Sequence, residues 1–346
     1  MSLLSPVQAF TSPQRPYETA MRALLIIVLV LTFVPSWTGA VRLALLGDRA
    51  QVEVRRVMLD RRDPARTRVG ALTFLGGVSL TSPDPAFGGF SSLGVRGERV
   101  ALLSDGGNVV SFRLDDRWHL SQPWFGNLPA GPGTGWEKAD RDSESMAVDP
   151  GSGRRWVGFE NSNEIWRFAP GFARAERFAA PRAMANWYAN CGPETLVRRR
   201  DGRFVTISET APPHGHGRRS VVVFAGDPTL HPARAFTAWY RPPRGYDVSD
   251  AAELPDGRLI VVNRRFEPPY RFVNKLTLVA KNAFKPGATV TGREIATLAP
   301  PLIHDNFEGI AVTQEAGATV LWLVSDDNQI LLQRSLLLKF RLDPGA

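Results

Sequence analysis

From about residue 75 onward, apolar and polar positions alternate with a period of two in short runs, and each run stops at Gly, Pro or Asp. That period predicts β-strands rather than helices, and the Asp-Gly and Pro-Gly breaks predict hairpin turns. One unit recurs: an acidic or small polar residue, a strand, a turn, a second strand and another polar residue, usually an acid. It can be read five times, over residues 92–105, 144–160, 194–209, 250–263 and 308–326. The starts are spaced by 52, 50, 56 and 58 residues. Each unit has room for later strands, such as residues 109–114 and 221–224, so a four-stranded propeller blade fits. The expected fold is all-β, a single β-propeller domain over residues 48–343. Six blades are expected, with five as the alternative, because the stretches 48–92 and 308–346 together hold about 80 residues, enough for the tail of the fifth blade plus one degenerate blade. The terminal run 336–342 is expected to pair with an N-terminal strand and close the ring, which removes an exposed edge.

The chain before the repeats has a different pattern. Residues 23–34 read ALLIIVLVLTFV, preceded by Met21 and Arg22 and followed by Pro35, Thr38, Gly39 and Ala40. A basic flank, an apolar run of about 7–15 residues and a small-residue exit suit an export signal, whereas a spanning helix needs about 20 apolar residues. Residues 1–40 are expected to be a leader and signal peptide cleaved after Ala40, with an uncleaved membrane anchor as the alternative. The expected location is periplasmic or secreted, or anchored in the inner membrane through this segment alone.

Composition narrows the class further. Hydrophobic residues at 43% and charged residues at 22% are ordinary globular usage, which excludes a disordered, collagen-like or coiled-coil chain. The one cysteine, Cys191, excludes an internal disulfide, and no Cys/His spacing suits structural zinc. The net charge is +8, but the arginines that dominate it are scattered and lack the aromatic interleaving that single-stranded nucleic acid requires. No nucleic-acid partner is expected. A monomer acting on a small-molecule or phosphorylated substrate is.

Candidate chemistry lies in the acids that bracket the repeats. In a hairpin the first residue of one strand lies beside the last residue of the next, which places Glu144 near Glu160 and Glu194 near Glu209. Radial repetition adds Asp105, Asp250, Glu308 and Asp326 at the same channel mouth. Such crowding costs about 4 kcal/mol per close pair at an effective dielectric of 20. A hard cation with oxygen ligands, calcium above all, would compensate, and so would raised pKa values or pairing with Arg182, Arg264 and Arg265. The expected metal set is Glu144, Glu160, Glu194, Glu209, Asp250, Glu308 and Asp326. His214, His216 and Arg218, in a Gly-rich loop, are candidates for holding substrate.

Residues 88–93 (GGFSSL), 142–148 (DSESMAV), 190–196 (NCGPETL), 306–312 (NFEGIAV) and 325–328 (SDDN) resemble the phytase-like propeller family, called "esterase-like activity of phytase". The resemblance runs in order through residues 70–343. It implies an exported bacterial propeller and, by the family's name, a hydrolase of phosphate or carboxylic esters. The sequence has no G-x-S-x-G elbow and no Arg-His-Gly motif, so a serine-hydrolase mechanism has no visible nucleophile. The expected activity is calcium-assisted ester hydrolysis with Glu144 or Glu308 as general base. A non-catalytic ligand-binding propeller and a calcium-dependent lactonase-like enzyme are the alternatives.

Overall fold

Runs rich in Val, Leu, Ile and Phe, cut by glycine turns, form five sheets whose main strands pair antiparallel. The computed structural model describes residues 21–28, 42–188, 191–210, 216–269 and 271–346. Blade 1 comprises Phe90–Arg96, Arg99–Ser104, Asn108–Leu114 and Leu120–Asn127, from innermost to outermost. Blade 2 comprises Ser143–Val148, Arg155–Phe159, Glu164–Phe168 and Ala175–Ala179. Blade 3 comprises Val197–Arg198, Phe204–Ile207, Arg219–Phe224 and Ala235–Arg241, with Thr289–Thr291 added in parallel at its edge. Blade 4 comprises Asp247–Glu253, Leu259–Glu267, Arg271–Val279 and Arg293–Leu298.

Blade 5 is built from both ends of the domain. Asn306–Glu315, Ala318–Asp326 and Ser335–Leu342 come from the C-terminal side, and Leu72–Thr81 pairs antiparallel with Ser335–Leu342. Glu53–Arg56 then lies outside Leu72–Thr81. The ring therefore has five blades, not the six first expected. The residues left over at the two ends share one sheet, and the segment before Leu72 supplies only short edge strands. The innermost strands neighbour one another in the order blade 1, 2, 3, 4, 5 and back to 1.

Each blade is packed on both faces by its neighbours, so the middle strands are buried on both sides. The first five residues of Leu259–Glu267 are all buried, as are seven in Ala318–Asp326. These strands read as continuous apolar runs rather than strict alternation. Gly309 marks how close the blades come: a Cβ there would lie 2.9 Å from Ser92 Cα of blade 1 and 2.7 Å from Val324 Cγ1.

A recurring irregularity positions the site. The innermost strand breaks register with the second strand between Phe90 and Ser92, Ser143 and Ser145, Val248 and Asp250, and Phe307 and Gly309. Each break is a bulge that re-aims one residue: Ser91, Glu144, Ser249 and Glu308. In blade 3 the bridge between Pro193 and Ser208 puts Glu194 in the same place. The carbonyl before each of the three glutamates accepts a hydroxyl from the preceding blade: Ser91 to Ser143 at 2.6 Å, Ser145 to Pro193 at 2.5 Å, and Ser249 to Phe307 at 2.9 Å. The three glutamates are thus held by inter-blade bonds as well as by their own strands.

Residues 1–40 form a unit separate from residues 41–346, and within it residues 21–28 are helical and exposed. The expected cleavage residues Thr38, Gly39 and Ala40 lie outside the described residues. Among the described residues no helix is long and apolar enough to cross a membrane.

Candidate functional site

The bulge residues of the inner strands meet the last residues of the second strands at one end of the ring. Two carboxylate triads form there, Asp142 with Glu144 and Glu160, and Glu160 with Glu194 and Glu209. Within each triad, one oxygen from every residue lies within 4.8 Å of the others. Glu160 belongs to both. It accepts the Gly192 N–H at 3.3 Å, and a Cβ on Gly192 would come within 2.7 Å of Glu160 Cα, so only a glycine fits this approach. Two cations flank the acids. Lys138 Nζ lies 2.8 Å from Asp105 and 3.2 Å from Asp142, and Arg264 bridges Glu209 at 2.8 Å, Asn306 at 2.8 Å and Glu308.

Burial and mutual repulsion dominate the electrostatics. Burial, then Asp142 and Glu160, hold Glu144 well above the ordinary carboxylate range. Glu194 is likewise pushed well up, by burial and then Glu209 and Glu144, with Arg264 opposing. Burial and Asp142 raise Glu160 to about 7, and burial and Asp105 raise Asp326 to about 7. Glu209 is raised by burial against the pull of Arg264. Burial disfavours the Arg264 charge, but Glu209, Glu194 and Asp326 more than restore it, so its pKa stands above its usual value. Two cations do not neutralise this group of acids. The set is all oxygen, grouped tightly and short of positive charge, which fits a hard divalent cation and not a soft one.

The family model for the phytase-like proteins, described as esterase-like activity of phytase, matches residues 41–329. The chain belongs to the phytase-like family. No curated protein matches it. Among solved structures it is similar to the WD40 domain of Neurospora crassa Pan2, at 12% identity and a TM-score of 0.40 over 81% of this chain and 97% of that one. It is also similar to Kuenenia stuttgartiensis hydrazine synthase, at 13% identity and a TM-score of 0.38 over 69% of this chain and 77% of that one. These two likenesses are too distant to bear on chemistry.

In this phytase-like chain the acids expected at the mouth separate into three groups. Glu144, Glu160, Glu194 and Glu209 come together. Glu308 occupies the equivalent bulge but is paired with Arg264 and accepts from Asn306 Nδ2 at 2.8 Å, and Asp326 lies 3.5 Å from that same amide. Asp250 does not join them. It stands one residue past the bulge, its carboxylate accepts the Ala251 N–H at 2.7 Å and the Ile310 N–H at 2.8 Å, and it serves as a buried inter-blade clasp. The bulge positions of blades 1 and 4 are Ser91 and Ser249, one residue before the Ser92 and Asp250 with which the repeat is read in the sequence, so neither blade offers an acid there.

Asp142 is the fifth acid of the cluster, and the sequence motif DSESMAV contains it without marking it as a site residue. Its signal was positional: it stands two residues before the bulge, where Asp247 and Asn306 stand in blades 4 and 5. Of the arginines named as compensators, Arg264 is the one at the cluster, while Arg265 pairs with Glu267. In the substrate-loop candidates, His214 lies outside the described residues. His216 has a left-handed backbone, at φ 50°. Arg218 stacks on Trp239, with 4.6 Å from Cζ to the ring centroid. The neighbouring Arg219 donates to the Glu209 carbonyl at 2.6 Å, so this loop starts beside the acidic cluster.

Proposed function

We propose that the acidic mouth binds a divalent cation, calcium by donor chemistry, in a hydrolase of phosphate or carboxylic esters that works outside the cytoplasm. The observation that carries this reading is the pair of carboxylate triads sharing Glu160. Asp142, Glu160, Glu194 and Glu209 would hold the ion, within the six to eight oxygens calcium takes when waters or bidentate carboxylates complete the shell. Bound there, calcium would polarise a phosphoryl or carbonyl oxygen and offset the negative charge that otherwise repels an anionic substrate.

The chain's own groups divide the remaining work. Glu160, raised to about 7 in the absence of the ion, would give up its proton as the cation binds, so it serves as a ligand. Glu144, which belongs to one triad only, is the candidate general base acting on water beside the ion. Glu308 is held by Arg264, and this pairing makes it a positioning group that fixes the guanidinium on Glu209. Arg218 and His216 lie on the loop that starts beside the cluster, but Arg218 is turned to the outer edge of blade 3, against Trp239 and Thr289, so no substrate role is assigned to it.

A panel of a phosphomonoester, a carboxylic ester and a lactone, assayed with calcium and with chelator, tests the reading. Chelator-sensitive turnover of a phosphomonoester or carboxylic ester is expected. Turnover of the lactone alone would point to a lactonase-like enzyme, and calcium binding with no turnover to a non-catalytic binding propeller. Export rests on residues 23–34, and mass spectrometry of the natively produced protein should find a chain beginning at Val41. A chain retaining Met1 or Met21 would favour the anchor.

A further inference from the structure

The propeller axis has a second end, and its chemistry is the opposite of the first. The same five inner strands that begin at the acidic cluster finish around a cavity of about 470 Å³, inside the range of about 300–1,000 Å³ usual for small-ligand sites. Each blade gives it an apolar wall residue: Leu93, Met146, Leu196, Ala251 and Ile310. The rim carries five arginines, Arg96, Arg99, Arg155, Arg198 and Arg200, against two carboxylates, Asp149 and Glu253.

The two carboxylates are already engaged. Asp149 lies 3.3 Å from Arg198, and Glu253 accepts from Arg199 at 3.0 Å and from the Arg200 N–H at 2.7 Å. Arg155 is different. Its Nε and Nη1 are shut off from solvent and have no hydrogen-bond partner among the described residues, and its guanidinium stacks on Phe172 at 4.7 Å. No carboxylate pairs with this guanidinium among the described residues, so its charge adds to the positive field that an anion in the cavity meets.

We propose that this end of the channel binds an anionic amphiphile: an acyl chain in the apolar funnel, with its carboxylate or phosphate head on the arginine rim. The apolar floor selects a hydrocarbon segment, because a free anion would gain nothing from it. The rim selects a negative head, because its five arginines outnumber its two carboxylates, both of which are already engaged. Arginine suits either head, since its planar fork matches both carboxylate and phosphate oxygens. The site lies away from the acidic cluster and does not depend on hydrolysis or calcium.

Calorimetric titration of the full chain tests the proposal, using dodecanoate, dodecyl phosphate, dodecanol, acetate and inorganic phosphate, each below its aggregation concentration. Saturable binding of the two long-chain anions is expected, at least tenfold tighter than dodecanol and than the two short anions. Arg155→Gln should weaken it about tenfold. Arg96→Gln, at an exposed position where folding is not at stake, should weaken it severalfold with an unchanged melt. Dodecyl phosphate binding where dodecanoate does not would assign the head to phosphate, and the reverse to carboxylate, both within the proposal. It is overturned if no long-chain anion binds saturably, if dodecanol or inorganic phosphate binds as tightly, or if both variants bind like the wild type.

Discussion

Glu160 sits at the junction of both triads, touched by acids from two neighbouring blades and by the Gly192 amide. Replacing it with glutamine keeps the volume and removes one charge. Two effects of opposite sign follow. Without calcium at pH 8, Glu160→Gln should melt a few degrees higher than wild type, because repulsion among Asp142, Glu144, Glu194 and Glu209 is relieved. With calcium, the variant should gain much less than wild type, because a shared ligand is gone. Thermal melts of both proteins with chelator and with calcium check this, and a variant that melts lower under both conditions would mark Glu160 as a purely structural residue. The sequence exposed the residue types at this scale, since strand-end acids recur with the repeat. It did not expose the bulge, which decides by a single residue that Glu144 and Glu194 face the cluster while Asp250 clasps backbone.

At the scale of elements, the hairpins and the period were legible because turn residues and strand runs are local signals. Blade membership was not. Ser335–Leu342 has Ala318–Asp326 on one side and Leu72–Thr81 on the other, so one sheet joins residues more than 250 apart in sequence. No local pattern distinguishes that from a separate sixth blade. Truncation before Ser335 should therefore strip blade 5 of its middle strand and leave Leu72–Thr81 without its partner. Loss of cooperative unfolding across the whole domain is expected, by chemical denaturation followed through tryptophan fluorescence. An unchanged melt would mean that the ring does not depend on this closure. The middle strands depart from the expected period of two, because burial on both faces makes runs such as Leu259 to Asn263 uniformly buried.

For the whole molecule, the axis is polarised, with acids at one end and arginines at the other. The acidic end links stability to pH. Glu160 and Asp326 have folded pKa values of about 7, above their ordinary 4.5 and 3.8, so the folded state holds more protons than the unfolded one between those limits. Their contribution is fully present below about pH 4 and is lost as pH rises through 7. With chelator present, the melting temperature should fall between pH 5 and 8. With calcium it should hold steady or rise over the same window, because the ion binds the deprotonated carboxylates. Equal pH profiles with and without calcium would contradict a cation site among these acids.

The most direct measurement is the binding of calcium itself to the chelator-treated protein, by calorimetry and metal analysis, for wild type and for Glu194→Gln. Saturable binding of calcium to the wild type, a rise in melting temperature on addition and a loss of most of the affinity in Glu194→Gln are predicted. A wild-type protein that binds no calcium at millimolar concentration, and melts identically with calcium and with chelator, would contradict the assignment of the acidic mouth as a cation site.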